Sequence, residues 1–192
     1  MAPLGAARAL ITGGIADLGK LELIQTQTIS TDQSSVNFTS IKEDVYATHF
    51  LTISRMKPDA DNKAVRIELS NDGGSSYHSS SGYYWSFDYM KANGTFQHKG
   101  ASNDSHFSLV HNIGNSGSEC VGGAFVYLYN LGNSSKFTTV NYQLSGVTQD
   151  PDMISTFGAG KFTTAETNNA LRVLFTSADI ASGVFSLYGL GE

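Results

Sequence analysis

The sequence predicts an all-β fold of two packed sheets, and three observations carry that prediction. From Lys20 onward, β-branched and aromatic residues recur in short runs between clusters of Gly, Asn, Asp and Ser. No run after residue 20 holds a sustained apolar stripe at helical spacing. Charged residues make up only 15% of the chain, against the usual quarter or so; Ser, Thr, Asn and 20 Gly replace them, a polar bias that belongs to a chain with many turns.

The length of 192 residues is room for one good-sized domain, or a domain plus an arm. An aromatic content of 11% is too high for a chain that stays largely disordered. Residues 1–20 read as an N-terminal arm or short helix and residues 21–192 as the sandwich. The first ten residues are Ala-rich with one charge, Arg8, and Gly13-Gly14 then breaks the segment. So short a piece cannot bury its own Leu4, Leu10, Ile11, Ile15 and Leu18. They are expected to dock on the domain, a sister chain or another protein, as an assembly contact.

The strands follow in order. Residues 21–28 alternate, residues 36–39 are a short Val-Asn-Phe-Thr run, and residues 46–53 lead towards Lys57-Pro58-Asp59. Val65-Arg66-Ile67-Glu68-Leu69 has period two, apolar on one side and charged on the other, so a half-buried strand is expected there. It stops at Asn71-Asp72-Gly73-Gly74, whose residues tolerate positive φ. Residues 83–89 are mostly aromatic and should bridge the core and a second surface. Residues 107–110 are shorter. In residues 123–130, Ala124, Val126 and Leu128 face one way and Phe125, Tyr127 and Tyr129 the other, which predicts a central strand covered on both sides. Residues 137–144, 153–162, 171–175 and 184–188 complete the set, at the spacing of ~8–12 residues or more typical of sandwiches.

Charge and cysteine content exclude several function classes. The net charge is −5, and the 12 Lys plus Arg are scattered singly, so no basic stripe is available to neutralise phosphates and nucleic-acid binding is not expected. Cys120 has no partner in the chain for a disulfide. Asn-X-Ser/Thr triplets at Asn37, Asn93, Asn103 and Asn133 are expected by chance in a chain of this composition. No apolar run approaches the ~18 residues of a membrane span. The first residues lack a cationic region followed by an apolar core, so synthesis in a cytoplasm is expected.

Each candidate chemistry meets an obstacle. Residues 10–20 superficially resemble the nucleotide-binding turn of short-chain dehydrogenases, but Asp17 stands at the middle glycine position, where its carboxylate would repel phosphates, and no Tyr has Lys four residues later. Asp59-Ala60-Asp61-Asn62 opens like a calcium loop, yet Ala64 and Ser70 occupy the positions of its Gly and Glu, so a polar hairpin tip is the better reading. The five His, at 49, 78, 98, 106 and 111, form no metal-ligand spacing, and Cys120 reads as a small buried residue rather than a nucleophile. Accordingly no catalytic residue, metal or cofactor is expected. The credible small-ligand feature is aromatic: Tyr83, Tyr84, Trp85 and Tyr89 could stack on sugar rings while Asn, Asp and Ser bind hydroxyls. The competing reading places Trp85, Phe87 and some of the tyrosines in the core or in a subunit contact.

A set of motifs in order resembles a widespread type of virion structural protein from tailed bacteriophages, many of them from marine hosts such as cyanobacteria. The motifs are Ser34-Ser35-Val36-Asn37-Phe38-Thr39-Ser40-Ile41, Tyr46, Phe50-Leu51-Thr52-Ile53, Pro58, the run from Val65 through Asn71-Asp72-Gly73-Gly74 to Tyr77, and Val184-Phe185-Ser186-Leu187-Tyr188-Gly189-Leu190. They cover roughly residues 21–192. The resemblance implies a β-sandwich, often jelly-roll-like, serving as a capsid decoration protein or part of a tail appendage, with no catalytic residues. It implies a homo-oligomer located in the virion, whose partners are copies of itself and other virion proteins, the major capsid protein or tail proteins. The alternative it leaves open is a tail-attached or fibre-like glycan-binding module that contacts the host surface. The arm lies outside the matched pattern.

Overall fold

The computed structural model describes residues 20–117 and 120–191. The predicted arm contact at Leu4, Leu10, Ile11, Ile15 and Leu18 lies outside the described residues. Twelve strands and no helix are found among the described residues: β1 (Leu21–Ile29), β2 (Val36–Phe38), β3 (Thr48–Pro58), β4 (Lys63–Ser70), β5 (Tyr83–Lys91), β6 (Phe96–Asp104), β7 (Phe107–Ile113), β8 (Val121–Tyr129), β9 (Phe137–Val147), β10 (Met153–Ala165), β11 (Ala170–Phe175) and β12 (Ile180–Leu190). They form an eight-stranded sheet in the order β1-β12-β3-β8-β9-β10-β5-β6 and a four-stranded sheet in the order β2-β11-β4-β7. Every pairing is antiparallel.

The order is that of a jelly roll with two extensions. Four nested pairs, β1 with β12, β2 with β11, β3 with β8 and β4 with β7, make one long antiparallel ribbon. Rolling that ribbon places β12 beside β3 in one sheet and β11 beside β4 in the other. The hairpins β5–β6 and β9–β10 are inserted into it and widen the large sheet beyond β8. Successive strands of the ribbon therefore switch sheets. The Asp59–Asn62 turn, read from sequence as a hairpin tip, is such a crossing: the Asp61 carboxylate accepts from Asn115 N at 2.8 Å and Asp59 Oδ1 from Asp179 N at 3.0 Å.

One apolar core lies between the sheets. Leu51 and Ile53 of β3, Val126 and Leu128 of β8, and Phe185 and Leu187 of β12 face Val65, Ile67 and Leu69 of β4 and Leu171 and Val173 of β11, all essentially inaccessible to solvent. Period two in these strands puts alternate residues into this layer, and each fully buried aliphatic or Phe contributes roughly 1.5–3 kcal/mol. As expected, β4 is apolar on its inner side. Its outer side carries Glu68, bound by Arg172 Nε and Nη2 at 2.8 and 2.5 Å. The Arg172 guanidinium also lies 4.3 Å from the Tyr77 ring, which pins the segment after β4 onto β11.

β7 covers the inner face of the extension. Tyr142 on β9 donates to Ser108 O at 2.8 Å, Thr156 on β10 to Leu109 O at 3.0 Å, and the Tyr83 ring on β5 meets Phe107 edge-on at 4.8 Å. Glycine makes this close approach possible on β10. A Cβ at Gly158 would stand 2.6 Å from Phe87, Ser86 O and Tyr142, and one at Gly160 2.8 Å from Phe107 and Tyr84 O. β6, at the free edge, is exposed along almost its whole length. It is the strand the sequence reading did not anticipate.

Candidate functional site

The aromatic segment now identified as β5 alternates simply. Tyr83, Trp85, Phe87 and Tyr89 point into the core, with Tyr83 fully buried and Trp85 and Tyr89 each 8% exposed. The Leu69 N–H donates to the Tyr83 hydroxyl at 2.8 Å, and Tyr89 donates to Gln97 Oε1. Trp85 stacks on Phe87 and donates through Nε1 to Asp104 Oδ2 at 3.0 Å. Burial pushes the Asp104 carboxyl up, but donation from Ser105 N and Trp85 outweighs it and leaves the group below its ordinary value. Of the four residues proposed as a glycan contact, Tyr84 alone is on the surface; Tyr83, Trp85 and Tyr89 are core residues and cannot stack on a ligand.

The outer face of the large sheet is the more open surface. Its register brings side chains from distant parts of the chain into rows. One row runs Ser186, Thr52, Phe125, Gln143, Phe157, Asp88, His98. The next runs Leu23, Tyr188, Phe50, Tyr127, Asn141, Ala159, Ser86, Gly100. Over β12, β3 and β8 these rows form an aromatic platform: Phe50 lies 4.8 Å from Tyr127, 6.1 Å from Tyr188 and 6.4 Å from Phe125, centroid to centroid. β8 is the central strand expected, but the described residues cover it on its inner side only, and Phe125 is 41% exposed.

Beyond the platform the surface drops into a trough of about 610 Å³, lined by Phe125, Tyr127, Asn141, Gln143, Phe157 and Asp88, with His98, Lys99 and Gly100 at its far side. Ala159, Ser86 and Gly100 make the depression because they project little above the strands. At one end Lys161 stands 5.5 Å from both the Tyr84 and Phe137 rings. Strand alternation in residues 123–130 already separates Phe125 and Tyr127 from the core. The partners Asn141, Gln143, Phe157 and Asp88 become neighbours through register alone, which no local signal discloses.

Three of the histidines and Asp72 have structural partners. His49 meets Ile41 O at 2.7 Å in the core, His78 Nε2 lies 2.8 Å from Glu166, and His111 meets Ser108 Oγ at 3.0 Å. Burial, followed by the positive charge of Arg66, lowers His106 to about 4; burial, then Lys99 and Arg66, brings His111 to about 4 as well. Asp72 accepts from Ser76 N and Oγ and from Ser70 Oγ, and these bonds lower its carboxyl to about 2. Cys120 is half-exposed just before β8 rather than buried. Among the described residues no three His, Cys, Asp or Glu are grouped to hold a metal ion. No protein-family model matches the chain, and no curated protein is significantly similar to it.

Proposed function

We propose that this chain is a non-enzymatic structural protein of a tailed-phage virion, decorating or stabilising the head through contacts with copies of itself and with the major capsid protein. A tail-attached position is the alternative placement. The observation that carries the reading is the apolar edge at β1. Leu21 and Leu23 are 45% and 53% exposed on the outer face, directly after an arm in which Leu10, Ile11, Ile15 and Leu18 continue the apolar character. A solvated edge strand normally carries charge to discourage pairing. Here two exposed leucines stand at the edge and follow, in sequence, a segment of the same apolar character, a combination suited to a protein partner. The jelly roll also matches the architecture that the resemblance to phage virion proteins implies, and repeated copies on a symmetric shell would add avidity to a modest contact.

A map of the purified particle tests the reading, with this chain expected at regular positions on the head. Leu21→Ser/Leu23→Ser should fold normally and be depleted from particles at least tenfold. Absence of the wild-type chain from purified virions would refute it.

A further inference from the structure

We infer that the trough on the outer face of β8, β9, β10, β5 and β6 binds an uncharged saccharide chain of a few rings. This goes beyond the assembly reading and does not rest on it, since that reading uses the opposite end of the same sheet. Two features of the trough carry the inference. Aromatic faces stand at two places: Phe125 and Tyr127 on β8, and Phe157, 48% exposed, on β10 two strands away. At a strand spacing of ~4.8 Å the two β8–β10 positions lie about 10 Å apart, the reach of a pair of linked sugar rings. Between and beyond them lie Asn141, Gln143, Asp88 and His98. Their side chains take part in none of the hydrogen bonds of the described chain.

That chemistry is selective. Sugar rings have apolar C–H faces that stack on aromatic side chains, and hydroxyls that need partners able both to donate and to accept. Two amides, an imidazole and a carboxylate meet that need. A lipid chain, or the leucine-rich arm of this protein, would desolvate the four polar groups without replacing their bonds with water, and so would bind poorly. A phosphate polymer or sulfated glycan would require an excess of cations. Here His98 stands opposite Asp88, and Lys161 at one end is the cation nearest the outer face, which is no cluster of positive charge. The volume, about 610 Å³, falls within the ~300–1,000 Å³ of ordinary ligand sites.

Binding of the full-length protein to an array of neutral and anionic bacterial-envelope oligosaccharides, followed by calorimetric titration of the best neutral hit, tests the inference. At least one neutral oligosaccharide is expected to bind. Phe157→Ala and Asn141→Ala should each weaken it tenfold or more, and Leu23→Ser should leave it unchanged. Both trough positions are on the surface, and matching melting curves will show that the variants fold. The inference is overturned if no neutral oligosaccharide binds at millimolar concentration, if binding survives both trough substitutions, if only anionic glycans bind, or if trough resonances respond to protein concentration and not to sugar, which would assign the face to a second copy.

Discussion

Tyr83 and Tyr142 reach from the large sheet to the backbone of the small one, and their hydroxyls are where the sandwich is most sensitive to a single atom. β7 ends before Leu69, so the Leu69 N–H lacks a strand partner on that side and donates to the Tyr83 hydroxyl at 2.8 Å. Tyr83→Phe leaves that buried donor unpaired and should destabilise the protein by about 1–3 kcal/mol in urea unfolding. Tyr142→Phe should cost less, because the orphaned group at Ser108 is a carbonyl. The histidines set the pH response. His106 and His111 titrate near 4 in the folded chain and near 6.5 when unfolded. Between those values the unfolded state binds more protons, so stability is fully present above about pH 6.5 and is lost as pH falls towards 4. Arg66, Lys99 and Asp104 are the charged neighbours that modulate the effect. The expected loss is on the order of 2 kcal/mol after solvent screening, and a melting series over that range, with His106→Asn/His111→Asn flattening it, is the check.

At the scale of the element, β10 and β6 show two opposite uses of a strand. β10 must admit Phe87, Tyr142 and Phe107 where its own side chains would stand. Gly158→Ala should therefore cost about 1–3 kcal/mol or more through contact with the Ser86 backbone, whereas Gly123→Ala on β8, with open space around its Cβ, should be nearly neutral. Paired urea curves will separate the two. β6 pairs on one side only and buries little, so its amides are expected to exchange with deuterium before those of any other strand in the large sheet. These two strands also show how far local pattern reaches. Alternation made residues 65–69 and 123–130 legible as strands with assigned faces because one face of each lies in the core. Residues 96–104 have no buried face, and so no alternation marks them. In residues 83–89 aromatic content concealed a plain period of two, and surface aromatics were inferred where Tyr83, Trp85 and Tyr89 are inside.

For the molecule as a whole, the extension hairpins share the core of the jelly roll. Tyr89, Leu144 and Ile154 belong to the same buried cluster as Val36, Leu51 and Leu171. Calorimetry should accordingly show one cooperative transition, with no separate melting of the β5–β6 and β9–β10 wing. The large sheet then has a division of surface: an apolar edge at β1 suited to assembly, and an aromatic and amide trough at the other end suited to a ligand. In the proposed roles the low charge of the chain would keep repulsion between crowded copies small.

Composition and period two were enough to establish that the chain is all-β, that it forms two sheets around one core, and which faces of β4 and β8 are turned inward, because burial acts on each strand through its own alternation. They could not say which strands lie side by side. The nested pairing of β1 with β12 and β2 with β11 joins residues more than a hundred positions apart, and such contacts leave no mark within a window of ten. The trough is a product of that register: Phe125, Gln143, Phe157 and Asp88 are ordinary outward residues until the sheet sets them in one row.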